Sequence, residues 1–362
     1  MGNSHRSRCI LLSSAQTVLI GVTQQGRSYQ WDITTGALLE EQSYLYQIPD
    51  FIGDSRSDIG KAPSPASLSS EQELLALAYR NSPVCVFDFG SGTLISWIID
   101  ENNRAAEQII FNPNPEVNQV AVAYNESHLA LYEPWSGTLI TSVEAQWPAI
   151  LSSVTCAFDG RTLATVDFLG HLRLWDFESL ALLYHVSTPS TSFSLLTFTS
   201  DAASLVDLGN HEMRIWAPLS LVRKTVDEET SVSDGTITII ATEGQYEQFQ
   251  FSKIKVLIAH EKTSLLLAGN YNGDILVCSC QKGFNPSTLH SQGNIWISCL
   301  TVSHNNLVAS GDVNAIIQIR NLVIPSSQQD ITASKLIFET SFSAPISSSF
   351  LTSLVHTSLC PH

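Results

Sequence analysis

TLATVDFLGHLRLWDFESLALLY, residues 162–184, reads as three short strands broken by turns, with Trp175 and Asp176 closing the middle one. The β-prone runs 163–166 and 172–175 flank Gly170, as a tight hairpin requires. The same unit recurs along the chain with its aromatic–acid ending changed or worn down. With Trp175 as the anchor, its counterparts are Trp31, Phe87, Tyr132, Trp216, Cys278 and Arg320. Successive anchors stand 56, 45, 43, 41, 62 and 42 residues apart. Four of these six intervals match the roughly 40–45 residues of a four-stranded propeller blade, and the other two must hold insertions.

Local signals agree with that period. Runs 120–124 and 129–132 surround Asn125-Glu126-Ser127, and runs 265–268 and 275–278 surround Asn272-Gly273. Small polar turns follow several anchors, at Thr34-Thr35-Gly36, Gly90-Ser91-Gly92 and Ser136-Gly137. A more apolar strand precedes each hairpin, at 108–111, 154–158, 193–198, 254–259 and 297–302, and 8–13 supplies one for the first unit. These inner strands are expected to line a crowded axis and to be almost continuously hydrophobic. The fold expected is all-β: a β-propeller of about seven four-stranded blades, with six or eight as alternatives, in a single domain over 1–362.

Two insertions interrupt the blades. Residues 47–70 include IGKAPSPASLSS, whose Gly, Pro and Ser content reads as a loop. Residues 226–250 open with Asp227-Glu228-Glu229 and contain TITIIA at 236–241, whose alternation suggests an accessory strand. Both are expected to follow a fourth strand, and so to share one rim. A third, 325–334, follows an anchor and should leave the opposite face. Residues 350–356 resemble the first strand of a further unit. Either they complete the ring against the other terminus or the chain is cut from a longer array.

Composition narrows the function classes. The 362 residues are 44% hydrophobic, enough for a substantial core. Asp and Glu total 34 against 18 Lys and Arg, a net charge of −16, which disfavours phosphate backbones and anionic membranes. The acidity reads first as solubility and second as a match for a basic partner surface. Seven cysteines in a scattered, odd set look unlike a disulfide framework, so a reducing compartment is expected. The apolar run 9–12 is short for a secretory segment, and Arg6 spoils the myristoylation pattern begun at Gly2. No stretch approaches the ~18 apolar residues of a membrane-spanning helix. A cytoplasmic location is the expectation.

The repeats resemble WD-repeat β-propellers, most clearly at TLATVDFLGHLRLWD (162–176), TVLIGVTQQGRSYQWD (17–32) and LLLAGNYNGDILVCS (265–279). WISCLTVSHNNLVASGDVNAIIQIRNL (296–322) is similar to the propeller regions of fungal NACHT-type nucleotidase proteins. That resemblance implies a sensor or regulatory module. Such repeats commonly place an Asp six residues before the anchor, where it braces the turn. Here those positions hold Gln25, Asn81, Glu126, Leu169, Asn210, Asn272 and Asn314, so the brace is expected to be mostly absent and stability to rest on blade packing. No G-x-x-x-x-G-K-[ST] occurs, so a nucleotidase core of that kind is missing from this chain.

Candidate chemistry is sparse. Cys278 and Cys280 share one strand face but lack placed companions for a four-ligand metal site. Ser279 and Lys282 match Ser-x-x-Lys outside the helical setting that motif needs. His171 and His211 stand at matching places beside hairpin turns, where turn bracing outweighs catalysis. Trp97 and Trp296 read as core, whereas Trp135 and Trp147 lie near turns where an exposed ring suits an interface. The expectation is therefore a non-catalytic scaffold for a protein or peptide, without cofactor or metal. Its candidate interaction residues are Trp135, Trp147, Asp227, Glu228 and Glu229. The alternative is a hydrolase or lyase acting in the central channel, which requires three or more titratable groups converging there.

Overall fold

The structure is a computed structural model and describes residues 7–12, 18–23, 27–43, 65–69, 73–78, 83–125, 128–144, 151–187, 195–209, 212–216, 249–250, 254–260, 262–279, 287–291, 293, 295–302, 306–312, 314, 316–323 and 333–341. Among these, twenty-eight strands form seven four-stranded antiparallel sheets. Each sheet takes four strands consecutive in the chain. The seven sheets are the blades of a β-propeller. First strands adjoin one another around the ring, and Ser7–Leu12 of blade one adjoins Ile297–Val302 of blade seven to close it.

Blade four shows how the sequence makes a blade. Its strands are Leu151–Cys156, Thr162–Asp167, His171–Asp176 and Leu182–Ser187. The second strand is buried at every residue because neighbouring blades cover both of its faces. The second strands of blades two and three, Leu74–Ala78 and Val120–Tyr124, are equally buried. First strands are less uniform than the sequence suggested. Ala106–Phe111 and Leu151–Cys156 leave several residues half-exposed, as expected of strands with one row toward the ring axis.

The acid of each aromatic–acid ending has a structural task. Asp32 accepts the backbone N–H groups of Thr34 and Thr35 at 2.7 and 2.8 Å. Asp88 accepts the N–H and hydroxyl of Ser91, both at 2.6 Å, and Asp176 accepts those of Ser179 at 3.1 and 2.8 Å. Glu133 takes the N–H of Ser136 at 2.6 Å. One carboxylate thus ties the turn from third to fourth strand in blades one to four. The Thr34 hydroxyl and Thr35 N–H hold the Asp32 carboxyl below its ordinary pKa, and Ser91 does the same for Asp88.

Apolar clusters fill the seams between blades. One cluster joins blades two and three through Val84, Val86, Ile98, Phe111 and Val122. Another joins blades three and four through Leu129, Leu131, Leu163, Trp175 and Phe177. The closing seam packs Leu19, Trp31 and Ile33 of blade one on Cys299, Ala309, Ile317 and Ile319 of blade seven. The ring closes here between blades one and seven; residues 350–356 lie outside the described residues.

Both insertions need correction. The first strand of blade two is Ala66–Ser69, inside the stretch 47–70 read as a loop, and all four residues are buried. Small side chains suit a strand at a crowded axis, so its Ala and Ser are no bar to pairing. The fourth strand of blade five is Phe249–Gln250, which pairs with Glu212–Trp216. The long connection there therefore follows a third strand instead of a fourth. Alternate strand ends lie on opposite faces, so the two long connections leave opposite faces of the ring, not one shared rim. The connection after Ile316–Val323 leaves the same face as that of blade five. Residues 236–241 lie outside the described residues.

Candidate interaction face

Turns between second and third strands, and connections between fourth and first strands, emerge on one face of the ring, the upper face. On it the turn brace, expected from the sequence to be mostly absent, is present in another register. The acid stands at or near the end of the second strand, two or three residues earlier than the repeat pattern predicts. Asp167 accepts the N–H groups of Leu169 and His171 at 3.0 and 2.9 Å through one oxygen. Its other oxygen meets the Arg173 guanidinium at 2.9 Å. Both side chains are buried. In blade six Asn270 closes the same loop, accepting from Asn272 and Asp274 at 2.9 and 2.8 Å. Asp312 does so in blade seven, with Asn314 and Ile316 at 2.8 and 3.0 Å. Blade five varies the theme: Asp207 takes Arg214 through two hydrogen bonds, at 2.7 and 3.1 Å, and the Trp216 indole N–H. The Trp175 indole donates instead to Thr165, at 3.0 Å.

These braced turns display apolar side chains. Phe168 and Leu169, held by Asp167, are 62% and 54% exposed. Tyr271, in the turn held by Asn270, meets Trp296 edge-to-face with ring centroids 4.9 Å apart. Trp296 is 50% exposed, so the core position suggested by its sequence is corrected: it precedes the first strand of blade seven and stands on the surface. Ile99 is exposed on the connection from blade two to blade three. Large apolar groups on turns fixed by buried hydrogen bonds lose little freedom on binding, which favours recognition.

Beside Ile99 lies a polar cluster. Arg104 bridges Asp100 and Glu144 at 3.5 and 3.1 Å. His128 stands within 4.0 Å of Asp100 and 3.7 Å of Glu144, yet burial, aided by Arg104, keeps its pKa below the ordinary value. Tyr124 donates to Tyr132 at 3.0 Å, and burial raises the pKa of both phenols. The adjoining recess, about 40 Å³ between Pro83, Ile98, Asp100, Arg104 and Tyr124, has room for a water-sized group. The ion pairs within the cluster fasten blade three to the connection that enters it.

Of the interaction residues singled out by sequence, Trp135 alone is among the described residues. Trp135 is 46% exposed, but on the third-to-fourth turn of blade three, hence on the lower face. Trp147, Asp227, Glu228 and Glu229 lie outside the described residues. Trp97 is half-buried in the fourth strand of blade two, Leu94–Ile98. The thiols of Cys85 and Cys299 are pushed up to about 12 by burial, and that of Cys156 is raised as well. Of the first strands whose side chains are described, the titratable members are Glu107, Cys156, Lys255 and Cys299. Among the described residues, no three His, Cys, Asp or Glu side chains stand close enough to hold a metal, and no helix is long and apolar enough to cross a membrane.

No family model matches the chain, and no curated protein matches it. The propeller architecture is thus established by the strands themselves, independently of any relative.

Proposed function

We propose that the chain is a non-catalytic scaffold of WD-repeat type that docks a protein or peptide on its upper face. The observation that carries this reading is the set of braced upper-face turns displaying Phe168, Leu169 and the Tyr271–Trp296 pair. A propeller presents such turns from one rigid disc, and a net charge of −16 favours a basic partner. Cys85, Cys156, Cys278 and Cys299 are thiols rather than disulfides, which suits a reducing compartment such as the cytoplasm. By its likeness to fungal NACHT-associated propellers the scaffold serves as a regulatory or sensor module.

The test compares capture of partners by the purified chain with capture by Phe168→Glu/Leu169→Glu, by Trp296→Glu and by Trp135→Glu on the lower face. A partner held by the unaltered chain should be lost with the two upper-face variants and kept with Trp135→Glu. Capture insensitive to both upper-face variants overturns the reading.

A further inference from the structure

His171 and His185 face one another on the outer half of blade four. His171 opens the third strand and His185 lies within the fourth. In the register of that pair Arg173 stands opposite His185 and His171 opposite Ser187. Side chains alternate along each strand, so the two imidazoles share one side of the sheet as diagonal neighbours. His171 Nδ1 and His185 Nε2 are 3.3 Å apart, and the ring centroids are 5.3 Å apart. Both side chains are half-exposed.

The contact is a long nitrogen-to-nitrogen hydrogen bond whose donor depends on the tautomer. Two imidazoles bound to one tetrahedral zinc at ~2.0–2.1 Å stand about 3.3–3.4 Å apart, with centroids about 5.2 Å apart. The pair thus already stands at the separation such a chelate needs, and a metal can replace the shared proton with little movement of either ring.

The nearest fixed positive charge, Arg173, is paired with Asp167 at 2.9 Å. Borderline divalent ions favour imidazole among the common protein ligands.

We propose that His171 and His185 form a two-histidine seat for a borderline divalent transition metal, zinc or copper(II), whose remaining positions are open to water or a partner side chain. The seat adjoins the displayed Phe168–Leu169 turn, yet the inference does not depend on the docking role of that face. Each histidine supplies half of a chelate, so removal of either one is costly.

The experiment titrates zinc chloride into the purified full chain, and into His171→Gln and His185→Gln, by calorimetry. The unaltered chain should bind one equivalent saturably below about 100 μM, and each variant should weaken that binding at least about tenfold. The chain has ten histidines, so binding at another site would survive in both variants. A second measurement needs no variant: zinc should protect His171 and His185, but not His290, from carbethoxylation mapped by mass spectrometry. Absence of saturable binding, binding retained in either variant, or protection that spares this pair would overturn the proposal.

Discussion

Asp167 and Asp312 end the second strands of blades four and seven and hold their turns by the same two backbone bonds. They differ in what faces the second oxygen. For Asp167 it is Arg173; in blade seven Gln318 stands two residues before the anchor, as Arg173 does in blade four, and turns to Glu339 at 2.7 Å. The second oxygen of Asp312 is buried without a hydrogen-bond partner. Burial accordingly raises the Asp312 pKa above its ordinary 3.8. The folded chain then holds that proton more tightly than the unfolded chain. The stabilisation is complete below pH 3.8 and is lost as pH rises through the folded pKa. At neutral pH the ionised group is a cost that Asp312→Asn removes while keeping the turn, as Asn270 does in blade six. We expect Asp312→Asn to raise stability at pH 7 by about 1 kcal/mol, with the gain vanishing toward pH 4. Asp167→Asn should lower stability by about 3 kcal/mol, because it leaves buried Arg173 without its carboxylate. Urea unfolding of both variants across that pH range checks the two signs; a loss in both would refute the contrast.

At the scale of elements, the turn of blade three shows how blades lock. The Ser96 hydroxyl of blade two donates to the Pro134 carbonyl in that turn. A Cβ added at Gly137 would lie 2.0 Å from the Trp97 carbonyl oxygen, with φ at +71°. Gly293 has a similar φ, +64°, and open space around it. Gly293→Ala should therefore cost about 1 kcal/mol from backbone strain alone. Gly137→Ala adds a clash and should cost at least about 3 kcal/mol. Equal urea midpoints for the two variants would show that the turn can swing away.

The blades were legible because anchor spacing survives the loss of the anchor residue, as at Cys278 and Arg320. Two strands escaped notice for physical reasons. Phe249–Gln250 is too short to carry a period, and Ala66–Ser69 is built from small residues that also suit turns. The braces were missed because the reading sought an acid in the turn, at Leu169 and Asn314. The structure seats it at Asp167 and Asp312, inside the strand, where only its register with the third strand reveals it. Trp296 was misjudged because its indole lies one residue outside the apolar strand that follows it.

At the scale of the molecule, stability resides in the seams. Trp31 fills the closing seam against Cys299, Ala309, Ile317 and Ile319. Trp31→Ala should cost about 3–5 kcal/mol through the cavity it leaves. If the seam is local, amide exchange should quicken in blades one and seven well before blade four. A uniform rise around the ring would mean that the propeller opens only as a whole.

Among the described residues no sheet draws strands from both chain ends, and apolar side chains pack across the closing seam. The point at which the polypeptide begins is then arbitrary as far as the sheets are concerned. A circular permutant that joins Ser341 to Ser7 by a linker and opens between Glu144 and Leu151 keeps every four-stranded sheet in one piece. The new link would repeat the fourth-to-first-strand connection already made between all other neighbouring blades. Such a permutant should fold to the same far-ultraviolet spectrum and melt close to the parent, with its covalent break simply moved to another seam.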